Sequence, residues 1–500
     1  MKVLLINPPC HRLKGFGHIY HPLGLGYLCA IAEKLGIEAK IYNAEAPDFN
    51  EKLCNFESHT DKLRSQKKYI DALNDNNHYV WKEAREVIDT FRPDIIGITV
   101  MTVKYPSAKR ISEMAKTLDR HIKVVWGGPH PTICTKEVIN EPTVDFVVFG
   151  EGEQTFEELL LAILAKNCFD KIKGLAYKEN GVVKINPSRE LIKDLDRLPL
   201  TDRVNVLYPE RYTSNSFGHL ITTRGCPFSC GYCSAKNIWS RACRYRTVEN
   251  VVTEIRWVIE KYNTKNFYFW DSSFTVSRKH AMAICKRLID DSLDINWGCE
   301  TRVDTVDLEM LKMMKKAGCQ MIRLGVESGS ERILNNIQKN ITIEQAKKAV
   351  RMIKNCKIPF EIFIMIGFPD ETQEDIDKTF HLMKEIKGGA VCFSIFVPYP
   401  GTALFDVAQM HGLIPERINW GDIYPQNEEN CFVKGMTKEQ FRKNVYKFSH
   451  LVDSKNAENL KIGTLILKTL KEFHDLIKTP FLIFHKCNTF MKILKRKIFM

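Results

Sequence analysis

Hydrophobic positions in the first 165 residues fall into short unbroken runs separated by stretches of helical spacing. Lys2–Asn7, Glu38–Tyr42, Asp94–Val100, Val124–Trp126 and Val144–Phe149 read as strands covered on both faces. Between them, Leu23–Leu35, Val80–Phe91, Ala108–Leu118 and Thr155–Leu164 carry their apolar residues on one helical face. Buried strands alternating with helices specify a parallel α/β sheet, whose ligands bind at the strand carboxyl ends. Two glycine-rich segments fall there, Gly127-Gly128-Pro-His130-Pro-Thr132 and Gly150-Glu151-Gly-Glu153.

The pattern then changes. Gly174–Ile185 reads as a hairpin on an Asn180-Gly181 turn, and a charged linker with Pro199 follows. From residue 218 the alternation restarts, with strands expected at Leu220–Thr223, Asn266–Trp270, Ile295–Gly298, Met321–Gly325, Glu361–Ile366 and Val391–Val397. Helices are expected at Val251–Tyr262, Ala281–Asp290, Leu308–Ala317, Ile343–Lys354 and Gln373–Lys384. Six βα units predict a partial barrel with its working end at the strand carboxyl ends. The division expected is a first α/β domain over 1–170, hairpin and linker over 171–205, the partial barrel over 206–410, and a helical region over 411–500.

Composition changes this picture little. Hydrophobic content of 44% and charged content of 27% are those of a globular protein. The net charge of +13 is not organised into a nucleic-acid-binding module, so no nucleic-acid partner is expected. Sixteen cysteines without a secretory signal point to a reducing cytoplasm, and no apolar run reaches the length of a membrane span. From Lys478 to Met500 there are six Lys or Arg and no acidic residue, mixed with apolar positions. Such a tail either lies on an anionic membrane surface or packs on the protein with a solvated basic face.

The chemistry concentrates in Thr223-Arg-Gly-Cys226-Pro-Phe-Ser-Cys230-Gly-Tyr232-Cys233, just after the first strand of the second half. Three thiolates spaced C-x3-C-x2-C can hold three irons of a [4Fe–4S] cluster and leave the fourth iron open, whereas ferredoxin spacings close it. Zinc is the alternative, but it wants four ligands, and Cys243 lacks a C-x2-C partner. Cys29, Cys285 and Cys392 sit on apolar faces and read as core thiols.

With its context, this loop resembles the radical S-adenosylmethionine superfamily. Phe269-Trp-Asp271-Ser-Ser-Phe274, Glu300-Thr-Arg302-Val-Asp304, Leu324-Gly-Val-Glu327-Ser328-Gly329, Gly367-Phe-Pro369 and Pro398-Tyr-Pro-Gly401-Thr402 are similar to its successive strand-end motifs. Trp126–Thr132 and Phe149–Leu160 resemble segments of the cobalamin-binding domain often fused to it. The resemblance spans roughly residues 1–410. It implies a flavodoxin-like, doubly wound cobalamin-binding domain before a partial (β/α)6 radical S-adenosylmethionine barrel. It also implies an open iron that chelates S-adenosylmethionine and an electron that cleaves it to a 5′-deoxyadenosyl radical. A low-potential donor of the flavodoxin or ferredoxin type would supply that electron, in an anaerobic cytoplasm. Many cobalamin domains supply a cobalt-ligating histidine from Asp-x-His-x-x-Gly. Here the corresponding loop is Asn7-Pro-Pro-Cys10-His11-Arg-Leu-Lys14-Gly15, so cobalamin without a protein histidine on cobalt is expected, and outright loss of cobalamin is the alternative.

By the same resemblance, Cys226, Cys230 and Cys233 hold the cluster, and Tyr232, Asp271, Arg302, Glu327 and Ser328 contact S-adenosylmethionine. Thr102, Gly127, Gly128, His130, Gly150 and Glu151 surround cobalamin. The bland alternatives are local packing for Tyr232, helix caps or ion pairs for the strand-end polar residues, and tight turns for the glycines. The function implied is a radical enzyme acting on an unactivated carbon of a small-molecule or lipid-like substrate, most often by methyl transfer. Ring formation resembling the anaerobic magnesium-protoporphyrin cyclases is second. A cobalamin or redox sensor comes from a different class. Methylthiolation fits poorly, because Cys10, Cys29 and Cys54 lack the spacing of a second cluster.

Overall fold

The computed structural model describes residues 1–17, 19–48, 51 and 58–459. The first sheet holds β1 (Lys2–Asn7), β2 (Glu38–Asn43), β3 (Ile95–Thr99), β4 (Lys123–Gly127), β5 (Phe146–Val148), β6 (Leu175–Glu179) and β7 (Val182–Ile185). Their order is β2-β1-β3-β4-β5-β6-β7. The first five strands are parallel, and the order 2-1-3-4-5 is the flavodoxin-like winding. Val3, Leu4, Leu5 and Ile6 of β1 are all buried, as the uniform apolar run requires when helices cover both faces.

The hairpin expected as a separate connector instead belongs to this sheet. β6 pairs antiparallel with β5, Phe146 opposite Tyr177, and β7 closes the edge. Residues 205–207 of the linker lie along the opposite edge, where Ile41 N donates to Asn205 O and Leu207 N to Ile41 O, both at 2.8 Å. The first domain therefore extends to about residue 207 as a packed unit.

The second half holds β8 (His219–Leu220), a ribbon of β9 (Thr223–Arg224) and β10 (Arg244–Tyr245), then β11 (Asn266–Phe269), β12 (Asn296–Arg302), β13 (Cys319–Glu327), β14 (Phe360–Ile366) and β15 (Ala390–Ile395). Apart from the ribbon, these strands form one parallel sheet in chain order from β8 to β15, a half-barrel with two open edges. Its helices begin where the sequence supplies a cap. Thr247, Ser277, Asp307, Thr342 and Thr372 each accept a bond from the backbone N three residues on, so an otherwise orphan donor is satisfied.

Along β14 the burial alternates strictly, with Phe360, Ile362, Ile364 and Ile366 buried against helices and Glu361, Phe363 and Met365 half-buried on the concave face. Cys392, expected as a core thiol, sits on that concave face of β15, whereas Cys29 and Cys285 are core residues as expected. Among the described residues, the open edge at β15 meets no further strand. Val391 instead pairs with the side-chain amide of Asn456, whose Oδ1 accepts from Val391 N at 2.9 Å and whose Nδ2 donates to Val391 O at 3.1 Å. His59 Nε2 donates to Phe393 O at 2.8 Å, and Ile395 N donates to Pro425 O at 2.7 Å. Asn456 lies on the long helix Lys438–Asn459, and His59 opens the helix His59–Asn74, which the periodicity of the sequence did not reveal. No helix among the described residues is long and apolar enough to cross a membrane. The basic tail from Lys478 lies outside the described residues.

Candidate active site between the facing strand ends

The cysteine loop is held from behind. Asp271, buried at the end of β11, accepts from Thr222 N at 2.7 Å, from Thr223 N at 2.8 Å and from the Thr222 hydroxyl. Both carboxylate oxygens are thereby committed to the loop, and burial pushes the Asp271 carboxyl up to about 6 despite those bonds. Asp271 thus positions the loop instead of reaching a ligand as the resemblance implied. Gly225 follows at φ +112°, where an added Cβ would sit 2.2 Å from Ala242 O, so the crossing of the β9–β10 ribbon demands glycine.

Cys226, Cys230 and Cys233 come next, all unbridged and half-buried. Cys233 N donates to Cys230 O at 3.1 Å, and Gly231 N to Ile337 O at 2.7 Å, which turns the loop toward the barrel mouth. Burial pushes the Cys226 and Cys233 thiols up. A buried thiol group of this kind becomes thiolate only when a cation compensates it, which is the situation of an iron ligand. Arg302 Nη1 stands 3.6 Å from Cys230 Sγ, with its guanidinium stacked 3.7 Å over the Phe228 ring. Asp304 and Lys339 O hold that guanidinium in place, at 2.9 and 2.7 Å. The donor set fits an anionic cluster with one side left to a further ligand.

Beside the loop, Glu327 adopts φ +68° at the bulge that ends β13, a conformation costly for a residue other than glycine. The strain directs its carboxylate onto Lys339 Nζ at 2.8 Å, and Lys339 Nζ also lies 3.3 Å from the Tyr232 hydroxyl. A Cβ on Gly325 would meet Lys339 Nζ at 2.5 Å and Glu327 Oε1 at 2.6 Å, so the missing side chain makes room for this pair. Burial, together with the Glu327 carboxylate, holds the Tyr232 phenol protonated. A carboxylate, an ammonium and an aromatic hydroxyl around a glycine gap suit a zwitterionic amino-acid moiety. Lys339 was not singled out from the sequence, since its loop has no pattern of its own. Ser328 turns away, its hydroxyl engaged with Thr379 Oγ1 at 3.1 Å and Ser330 N at 3.1 Å, so it shapes the turn after β13.

In the first domain, Gly128 has φ +104°, and a Cβ there would lie 3.1 Å from Val100 N. Gly150 has φ +80° with no atom within 4 Å of a would-be Cβ, leaving open space at the end of β5. Met101, at the end of β3, is 53% exposed, an apolar surface left uncovered beside these glycines. Gly127 meets only ordinary contacts. His130 is fully buried between Tyr105 and Trp420, its Nδ1 3.2 Å from Thr102 Oγ1 and its Nε2 without a hydrogen-bond partner among the described residues. Burial lowers it to about 4, so it stays neutral. His11 is engaged by Glu45, at 3.1 Å. The glycine gaps and the exposed Met101 fit a large ligand lying on these strand ends.

Glu151 differs from expectation. It receives Arg224 Nη1 at 2.9 Å, Arg244 Nη1 at 2.6 Å and Ile192 N at 2.6 Å, and Arg224 also binds Glu153. Both oxygens are consumed in joining the two domains, two residues before Cys226. The short helix Ala235–Trp239 after the cysteine loop packs on the helix Pro129–Ile133 after Gly128, and Asn237 Nδ2 donates to Gly401 O at 2.5 Å. The carboxyl ends of the two sheets therefore face each other across one cleft.

Residues 220–383 match the Radical SAM superfamily and residues 13–160 match the B12 binding domain. An uncharacterised methyltransferase of Pyrococcus horikoshii is 34% identical over 448 residues, covering 89% of this chain and 90% of that protein. An anaerobic magnesium-protoporphyrin IX monomethyl ester cyclase of Rubrivivax gelatinosus is 31% identical over 351 residues, covering 67% of this chain and 62% of its own. Among solved structures, the radical S-adenosylmethionine methyltransferase TsrM of Kitasatospora setae, with tryptophan and a SAM analogue bound, superposes with a TM-score of 0.64. It is 18% identical and covers 82% of this chain and 76% of its own, a likeness of fold. The three-cysteine loop at the mouth of a half-barrel, facing a cobalamin-type domain, and a relative matched over nearly its whole length lead to one conclusion: the chain belongs to the cobalamin-dependent radical S-adenosylmethionine enzymes, and within them to the methyltransferase-like members.

Proposed function

We propose that this enzyme transfers a methyl group to an unactivated carbon of a small molecule held in the half-barrel. The observation that carries the reading is the cleft itself, in which three half-buried thiols, Arg302 and the Glu327–Lys339 pair face the glycine loops of the cobalamin-type domain. Cys226, Cys230 and Cys233 would hold a [4Fe–4S] cluster, and Gly128, Gly150 and Met101 would lie against cobalamin. When bound, the cluster with S-adenosylmethionine supplies a hydrogen-abstracting radical, and cobalamin supplies the methyl group.

The chain's own residues bind and orient. Lys339 would hold the carboxylate of the methionine moiety and Glu327 its ammonium, by charge-assisted bonds. Tyr232 would contact the nucleoside, and Arg302 would offset the negative charge of the thiolates. The reading without a histidine on cobalt is supported by His11, engaged by Glu45, and by His130, buried beneath Trp420. The resemblance to the Rubrivivax cyclase favours ring formation as the second reading.

The test uses enzyme reconstituted anaerobically with iron, sulfide and cobalamin, then supplied with S-adenosylmethionine, reductant and candidate substrates. Comparable amounts of 5′-deoxyadenosine and S-adenosylhomocysteine are expected. 5′-Deoxyadenosine alone sinks methyl transfer and favours ring formation.

A further inference from the structure

The concave face of the half-barrel carries a ladder of charge directly below the cysteine loop. Glu300 of β12, Arg323 of β13 and Glu361 of β14 are register neighbours on three adjacent strands. Arg323 Nε lies 2.7 Å from Glu361, and its Nη1 lies 3.8 Å from Glu300. Glu300 stands two residues before Arg302 on the same face of the strand, so the ladder sits about 7 Å below the guanidinium that touches Cys230.

These side chains are not sealed. Arg323 is 32% exposed, Glu300 29% and Glu361 20%, while the other face of the same strands is buried among helices. A ladder serving only the sheet would gain little from standing on a partly exposed face. One guanidinium shared by two carboxylates leaves one negative charge in excess, and Glu300 receives the weaker share.

The neighbouring wall is aromatic. The Tyr268 ring lies 5.0 Å from Arg323, and Trp270 lies 4.6 Å from Tyr268. Tyr20 of the first domain lies 6.0 Å from Trp270, and both are partly exposed. Carboxylates in excess next to aromatic faces form a cation-attracting environment. A hydrocarbon entering this lumen would strip water from Glu300, Arg323 and Glu361 and return no hydrogen bonds.

We propose that the half-barrel selects a substrate bearing an amine, whose ammonium is taken by Glu300 and Glu361 with its body against Tyr268 and Trp270. The inference rests on the reading of the lumen as the substrate chamber, and it argues against a purely hydrocarbon lipid.

The test is isothermal titration of the full-length enzyme, reconstituted with cluster and cobalamin and saturated with S-adenosylmethionine. The probes are phenethylamine, phenethyl alcohol and hydrocinnamate, which share a body and differ in charge. The amine should bind about tenfold more tightly than the alcohol, the value of one partly solvated charge contact, and the carboxylate least tightly. Glu300→Gln and Glu361→Gln should each weaken the amine severalfold and leave the alcohol within about twofold. Equal affinity of amine and alcohol, tightest binding of the carboxylate, or a preference unchanged in both variants overturns the proposal. Formation of 5′-deoxyadenosine by the same preparations is measured separately. Its absence from the wild-type enzyme would count against the radical reading, whatever the amine result.

Discussion

Replacing Glu151 with alanine should uncouple the two domains and release the cluster. Glu151 is 1% exposed and pairs with Arg224 and Arg244, which are 5% and 9% exposed. Its removal leaves Arg244 without a carboxylate partner and orphans Ile192 N, while Arg224 keeps Glu153. Breaking a buried ion pair from one side costs about 3–5 kcal/mol, and the retained Glu153 contact argues for the lower end, about 3 kcal/mol. At roughly 2 °C per kcal/mol for a chain of this size, the first thermal transition should fall by about 6 °C. The second consequence is local. Arg224 sits two residues before Cys226, so a loosened ribbon displaces the first thiol, and iron retained after anaerobic desalting should fall severalfold. Glu151→Gln keeps the acceptor oxygen and the shape and should fall between the two. The assay pairs differential scanning fluorimetry with iron quantification. An alanine variant that melts with the wild type and keeps its iron refutes the latch.

Alanine at any one of Cys226, Cys230 or Cys233 should leave little bound iron and lower 5′-deoxyadenosine formation at least about a hundredfold, while the fold persists by circular dichroism. Gly128→Ala introduces a side chain at φ +104° and 3.1 Å from Val100 N. It should cost about 1–2 kcal/mol and reduce the cobalamin retained per chain, read from the absorbance of the reconstituted protein. Glu371 is buried, and burial pushes its carboxyl up to about 8 although Gly367 N and Phe368 N donate to it. The folded state therefore holds a proton that the unfolded chain releases near the ordinary range. That stabilisation is complete below about pH 4.5 and is lost as the pH rises through about 8. Glu371→Gln should flatten the fall in melting temperature between about pH 5 and 8, and an unchanged slope refutes the assignment.

Much of the fold was legible because buried parallel strands announce themselves by composition. β1, β3 and β14 were found to within a residue or so, since a continuous or alternating apolar run has few other readings. The helix His59–Asn74 was not found, because it buries its face on a C-terminal helix nearly four hundred residues away and is mostly polar. The cysteine loop was legible as local spacing. Arg302 and Glu327 come together beside it with Tyr232, as the strand-end motifs implied. Glu151, Asp271 and Ser328 were chosen for their chain position, but their polar atoms were already spoken for by groups that only folding brings near. Lys339 went unnoticed for the same reason, and Cys392 was assigned to the core because one strand face looks like the other until the sheet curves.

The amide of Asn456 stands in for a strand neighbour at the open edge of the half-barrel, so the helix Lys438–Asn459 shields that edge from pairing as well as packing on it. Strand edges with free donors and acceptors recruit other chains. A shortened protein ending before residue 456 would expose Val391 and, with a deeper cut, Phe393 to self-association, so a tail deletion meant to probe membrane contact belongs after residue 459. The same lock explains how a barrel can stay unclosed. The gap left beside β15 is guarded by side chains that can be redesigned singly, which offers a route to widening the chamber for bulkier molecules without disturbing a strand.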